Sequence, residues 1–234
     1  MKAIILSAGY GKRLQPLTFS CPKPLLKINN NETLLSNTMK FLESFGIKEI
    51  VINVHHLGEQ IIEYVNKKNF NLKINIIEEK KEILDTGGGV LNAISYFSNN
   101  PFIIINPDTI WNFNYLNKLK QMKENFLANK NSKCSLLVVK KEKSFDKSYK
   151  GDFNLNKNLI NRDDKNSLEY IYTGLQIVNP EIFSKFDIKI FSMNKIWDKL
   201  IIKKQLHGLE SNVNFLHVSN LDVYKSLLKT NFKY

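Results

Sequence analysis

The chain has 234 residues, 43% of them apolar, enough to bury one good core and little more. Its net charge of +12 comes from lysines scattered along the whole length, without an Arg-rich stripe or interleaved aromatics, which speaks against a nucleic-acid partner and for a solvated surface that mildly attracts polyphosphates. No apolar run approaches the roughly 18 residues of a membrane span, and Cys21 and Cys134 form neither a CxxC nor a zinc-like cluster, so a cytoplasmic protein with reduced thiols is expected.

The first predicted strand, 2–6, is followed at once by Ser7-Ala8-Gly9-Tyr10-Gly11-Lys12-Arg13-Leu14. Gly9 and Arg13 stand where a secretory leader would stay apolar. Glycines at 9 and 11 let backbone N–H groups approach a bulky anion, and Arg13 and Lys23 supply positive charge. Arg can grip two phosphate oxygens while Lys acts as a point charge, so the loop suits a nucleoside triphosphate. Two familiar phosphate loops do not fit. A dinucleotide fingerprint wants glycine where Leu14 stands, and a Walker-type loop wants Ser or Thr after its Lys, where Arg13 follows Lys12. A glycine turn beside two solvated cations accounts for each piece singly but not for their order.

Further strands are predicted at 48–54, 73–78 and 101–106, alternating with helices near 33–45, 57–67, 86–98 and 113–125. Gly46 reads as the cap of the first helix, and Asp85 or Thr86 as the start of the third. This is the pattern of an α/β, three-layer, doubly wound, Rossmann-like mixed sheet, whose right-handed crossovers bring the loops after strands 1 and 4 to one edge. Beyond 126 strands dominate: 133–140, a hairpin around Asn156-Lys157, and 168–178. Helices near 193–204 and 220–229 then flank a strand at 213–218. The charged stretch 141–150 reads as a mobile loop. One domain spanning 1–234 is expected, with a nucleotide-binding half at 1–125 and a sugar-binding half with a C-terminal helix at 126–234.

Two more elements carry chemistry. Three glycines at a helix start, in Leu84-Asp85-Thr86-Gly87-Gly88-Gly89, cost helix stability and ask for a reason, such as close approach of a flat ligand or a loose cap. Asp108, leaving the end of a central strand in Asn106-Pro107-Asp108-Thr109, is placed to hold a hard cation. Mg²⁺ takes one or two carboxylates with phosphates and water. Alone, such an Asp also serves as a turn former; the upstream loop favours the metal.

Strand, Gly-x-Gly-x-Arg, Pro16-Leu17-Thr18 and Pro22-Lys23-Pro24-Leu25, in this order, resemble the N-terminal signature of the sugar-1-phosphate nucleotidyltransferases. The resemblance implies a GT-A-like fold, Mg²⁺ as cofactor, and a nucleoside triphosphate and a sugar 1-phosphate as partners. It also implies a monomer or homodimer. It assigns the nucleotide to Ala8, Gly9, Gly11, Arg13, Gly87 and Gly88, with Glu82 at the base-binding wall, and catalysis to Arg13, Lys23 and Asp108. Near the C-terminus the family places a second metal-binding Asp, and this chain has His217 there, in Phe215-Leu216-His217-Val218. An imidazole is a poorer partner for Mg²⁺ than a carboxylate; His217 stands as a metal ligand, a hydrogen-bonding partner or a bystander.

No Glu-Lys-Pro precedes Tyr172-Thr173-Gly174, as it does in many hexose-phosphate members. Instead Gly151-Asp152-Phe153, Arg162-Asp163-Asp164, Thr173-Gly174 and the glycine run look like the short N-acetylmuramate 1-phosphate uridylyltransferases of cell-wall recycling. That likeness implies sugar contacts at Asn53, Asp152, Thr173 and Gly174. His55 and His56 either face the same cleft or are surface histidines. A mannose 1-phosphate guanylyltransferase is the near alternative, and a silent nucleotide-binding relative, suggested by His217, the distant one.

Overall fold

A computed structural model of the chain describes residues 1–162 and 167–230; Asp163 and Asp164 lie outside them. The expected first four strands form as β1 (Ala3–Leu6), β2 (Glu49–Val54), β3 (Lys73–Glu78) and β4 (Phe102–Ile105). Between and after them run α1 (Leu34–Ser44), α2 (Gly58–Lys67), α3 (Asp85–Asn92) and α4 (Asn114–Ala128). The second half adds β5 (Cys134–Lys140), the hairpin β6 (Asn154–Asn156) and β7 (Leu159–Asn161), β8 (Tyr170–Val178), α5 (Asn194–Ile202), β9 (Leu206–Ser211) and α6 (Leu221–Lys229).

The nine strands make one mixed sheet in the order β3-β2-β1-β4-β8-β5-β9-β7-β6. Strands β1 to β4 are parallel, and β8 runs antiparallel between β4 and β5. The chain winds from β1 outward to β3 and then returns to the other side of β1 as β4. The loops after β1 and β4 therefore diverge side by side at the switch point, where open α/β sheets bind ligands.

Period-two alternation explains the three layers. Ala3, Ile5, Ile50, Ile52, Ile103 and Ile105 face one side and pack on Leu35 and Met39 of α1, Ile61 of α2 and Leu119 and Met122 of α4. Ile4, Val51, Phe102 and Ile104 face the other and pack on Val90 of α3 and Trp197 and Leu200 of α5. Gly46 ends α1 as anticipated. At φ 90° it donates to the Glu43 carbonyl (2.9 Å) while Ile47 donates to that of Leu42 (3.0 Å), a Schellman cap.

Three features differ from the sequence reading. The third helix stops at Asn92 and tightens into a 3-10 turn over Ile94–Phe97, after which Ser98 and Asn99 turn the chain through left-handed backbone. The last strand is Leu206–Ser211, parallel to β5, while 213–218 is extended chain that pairs only through the bridges Ser144 with Phe215 and Thr109 with His217. Finally, 141–150 is pinned by hydrogen bonds. Phe145 N–H donates to the Phe215 carbonyl (2.9 Å), and Phe215 N–H to that of Lys143 (2.8 Å).

Candidate active site

Beyond β1 the chain is held from below. Ser7 N–H donates to Asn53 Oδ1 (2.9 Å), Asn53 Nδ2 to Glu79 Oε1 (2.7 Å), and Leu84 N–H to Glu79 Oε2 (2.8 Å). This buried series ties the ends of β1, β2 and β3 to the start of α3, and no polar end of the Asn53 amide is left over. A Cβ at Gly89 would lie 2.7 Å from Glu79 Oε1 and 2.8 Å from Asn53 Nδ2, so glycine is what lets α3 pass over these groups.

Above this floor the loop opens to solvent. A Cβ on Gly9 would meet nothing within 4 Å. Gly11 is left-handed at φ 63°, and its carbonyl accepts from Leu14 N–H (2.8 Å) and the Thr18 hydroxyl (3.0 Å), starting the turn Lys12–Leu14 that presents Arg13. The Arg13 side chain is exposed and makes no ion pair among the described residues.

Asp108 anchors the opposite wall. Its Oδ2 accepts from Lys23 Nζ at 2.5 Å and lies 3.2 Å from His217 Nε2. Oδ1 is buried and accepts nothing. Burial opposes ionisation of this carboxyl, but the Lys23 ammonium and the His217 imidazole outweigh it and hold the group well below the usual carboxylate range. His217 is brought there by backbone pairing. Ile110 N–H donates to the Leu216 carbonyl (2.8 Å), and Val218 N–H to that of Asp108 (2.8 Å).

Behind His217 stands Tyr149, its hydroxyl 2.6 Å from Nδ1, with the phenol pushed up by burial and by the nearby Asp108 charge. The segment carrying Tyr149 is held at Asp146, which accepts from Ser148 N–H (2.9 Å), the Ser148 hydroxyl (2.6 Å) and the Ser219 hydroxyl (2.5 Å). Burial works against the Asp146 carboxylate; the hydrogen bonds from Ser148 and Ser219 prevail and lower its pKa.

These walls enclose a cavity of about 330 Å³ at the switch point. Ala8, Gly9, Gly11, Arg13, Lys23, Asn53 and Asp108, drawn from three separate stretches, all line it, along with Glu79, Ile83, Asp85, Thr86 and Ser219. Glu82 is exposed and not among the lining residues; Glu79, three positions earlier, is. Gly87 and Gly88 are also off the cavity wall. Their amides both donate to the Phe191 carbonyl (2.9 and 3.0 Å), and Cβ atoms there would come within 2.3 Å of the Phe191 ring and 2.2 Å of the Lys189 carbonyl oxygen. Their smallness admits the 189–191 segment.

The residues assigned to the sugar spread apart. Asp152 is half-buried, accepts from Tyr172 N–H (2.9 Å) and has its pKa raised by burial against the pull of that bond and of Arg162. Thr173 is fully buried, and its hydroxyl donates to the Leu137 carbonyl (2.9 Å) at the register break in β5. Gly174, at φ 89°, leaves room for the Asn106 side chain and accepts from Asn106 N–H (2.8 Å), so it supports the turn that carries Asp108. His55 and His56 bond the carbonyls of Glu79 and Thr18 beside the loop. Tyr149, Ser219 and Glu79 went unnoticed in the sequence. The first lies in a lysine-rich stretch, and none belongs to a recognisable spacing.

A divalent cation is compatible with these groups: Asp108 Oδ1 is an ionised, buried oxygen without a partner. Among the described residues no cluster of three or more His, Cys, Asp or Glu side chains is arranged to hold a metal, so any ion would depend on Asp108 with substrate oxygens and water. No helix among those residues is long and apolar enough to cross a membrane.

Comparison with known proteins places the chain in a family. The chain is 28% identical over 218 residues to a mannose-1-phosphate guanyltransferase of Kluyveromyces lactis, covering 90% of itself and 59% of that protein. It spans under three fifths of the length of the guanyltransferases it matches. With an N-acetylmuramate alpha-1-phosphate uridylyltransferase of Caulobacter vibrioides it shares 25% identity over 223 residues, covering 93% of this chain and 91% of the other. The fold matches the crystal structure of HddC from Yersinia pseudotuberculosis complexed with GMP-PN at a TM-score of 0.73, with 23% identity and 97% and 98% of the two chains covered. Residues 2–149, from the first strand through the Gly9–Gly11 loop and Asp108, match the nucleotidyl transferase family, and the chain belongs to that family.

Proposed function

We propose that the protein joins a sugar 1-phosphate to a nucleoside triphosphate, giving a nucleoside diphosphate sugar and pyrophosphate, and that the pair used is N-acetylmuramate 1-phosphate with UTP. The convergence of Arg13, Lys23 and Asp108 on one cavity carries the reaction class. The near-complete mutual coverage with the Caulobacter uridylyltransferase supports the substrate pair. The guanyltransferases, matched at slightly higher identity over part of their length, support mannose 1-phosphate with GTP as the second reading.

In this reaction a phosphate oxygen of the sugar attacks the α-phosphorus in line, and the bond from that phosphorus to the β-phosphate oxygen breaks. No covalent enzyme intermediate is needed. Arg13, exposed and unpaired at the cavity rim, is free to take the charge that grows on the leaving pyrophosphate. Lys23, paired with Asp108 on the cavity wall, is placed to offset the repulsion between the α-phosphate and the incoming phosphate. Gly9 and Gly11 offer backbone N–H groups to the triphosphate, and Thr86, Asp85 and Glu79 border the base. Asp152, with one oxygen not engaged by Tyr172, is available to a sugar hydroxyl. A magnesium ion held by Asp108 would supply further positive charge at the phosphate oxygens. Such chemistry fits a cytoplasmic enzyme of cell-wall recycling.

Pyrophosphate release, measured for UTP, GTP, dTTP and ATP against N-acetylmuramate, mannose and glucose 1-phosphates with Mg²⁺, tests the proposal. The highest kcat/KM is expected for UTP with N-acetylmuramate 1-phosphate. Preference for GTP with mannose 1-phosphate selects the second reading, and no release from any pair refutes catalysis of this class.

A further inference from the structure

His217 is engaged on both ring nitrogens, and the arrangement determines where its proton is. Nε2 lies 3.2 Å from Asp108 Oδ2, an ionised carboxylate oxygen that can only accept. Nε2 therefore carries a proton. Nδ1, 2.6 Å from the Tyr149 oxygen, is committed to the phenol. The ring lies nearly parallel to Phe215, with centroids 5.5 Å apart and planes 17° apart, and the backbone bridge to Thr109 fixes its base. Neither nitrogen keeps a lone pair for an ion in the cavity.

The same bonds explain the asymmetry of Asp108. Oδ2 receives Lys23 and His217, and Oδ1 receives nothing although it is buried. A carboxylate free to rotate would share its donors between the two oxygens. Here the file Tyr149, His217, Asp108 holds the group in one orientation and leaves the other oxygen without a donor.

We infer that Tyr149 and His217 are positioning residues that orient Asp108 so that Oδ1 is offered to a divalent cation, and that His217 is not itself a ligand. This rests on reading Asp108 as the cation-holding carboxylate. His217 thus acts on the ion through a hydrogen bond, although it occupies the position where the family resemblance implied a ligand.

The test uses the full chain and Mn²⁺ alone as probe, so it does not depend on which nucleotide or sugar is turned over. In protein carrying ¹⁵N-histidine, long-range proton–nitrogen correlation should show the His217 proton on Nε2, and pulsed electron paramagnetic resonance of bound Mn²⁺ should show no coupling to a directly bonded histidine nitrogen. Mn²⁺ affinity should fall about tenfold in His217→Ala, the low end of the range seen when groups behind a metal ligand are removed, and by less, about threefold, in Tyr149→Phe, one bond further from the carboxylate. His217→Gln, which keeps an N–H for Asp108, should restore most of it. A lone pair on Nε2, a directly bonded histidine nitrogen, or no Mn²⁺ binding by the parent overturns the inference. Should His217→Ala fail to fold, the two spectra of the parent and the affinity of His217→Gln still decide. Absence of turnover with every substrate pair, alongside the expected spectra, would refute the proposed reaction and leave the positioning role standing.

Discussion

One glycine cluster lines the cavity, another lies off its wall behind Asp85 and Thr86, and the two are glycine for opposite reasons. At Gly9 the missing side chain leaves open space on the cavity wall, room for something the protein does not itself contain. At Gly87 and Gly88 the room is already filled, by Phe191 and the Lys189 carbonyl. Both runs look alike as sequence, since each starts a turn or helix. The difference is whether the vacated volume is closed by the chain's own distant segments. A glycine run thus signals close approach without saying of what.

Four variants sharpen or break that contrast. Arg13→Ala, on the open side, should lower kcat about 10²- to 10³-fold, as expected for losing a preorganised charge on a leaving group, with an unchanged melting temperature. Near-parental kcat at saturating substrates would remove Arg13 from the reaction. Gly88→Ala, on the filled side, should cost about 3 kcal/mol in denaturant unfolding, because the added methyl meets backbone oxygen that cannot swing away. A loss confined to nucleotide KM, with stability intact, would instead return Gly88 to the nucleotide.

Gly9→Ala should do the reverse of Gly88→Ala. Stability should stay within about 0.5 kcal/mol of the parent, as for a surface site, while nucleotide KM rises about tenfold. An unchanged KM would mean that the open wall faces no ligand. Thr173→Val, which leaves the Leu137 carbonyl short of a donor, should destabilise by about 1 kcal/mol. If that change raised the sugar KM severalfold with no loss of stability, Thr173 would be a sugar contact after all.

Much of this was legible in the sequence where the signal was local. The strand, loop and cap from Ala3 to Gly46 follow from apolar alternation and from glycines whose backbone angles only glycine adopts readily. The pairing of the loop with Asp108 followed from parallel topology, which makes the ends of β1 and β4 neighbours. What failed was non-local. Leu206–Ser211 is a strand carrying Gly208, whose bare position accommodates Ile160 of the hairpin, and an internal glycine weakens any strand signal. Val213 and Phe215 have strand-like spacing, but Val213, Phe215 and Val218 pack into three different clusters and the segment forms only isolated bridges. Tyr149 was invisible because its importance comes from a histidine 68 residues away.

The ion pair of Lys23 with Asp108 links survival of the fold to survival of the chemistry. Both side chains are largely buried, at 14% and 20% exposure, so removing either charge strands the other. Breaking such a pair costs about 3–5 kcal/mol, a large share of the roughly 5–15 kcal/mol that keeps a domain folded. A mutation at either residue should therefore deplete the protein in the cell as well as inactivate it. A chain that lost the chemistry while keeping the fold would have to lose both charges nearly together.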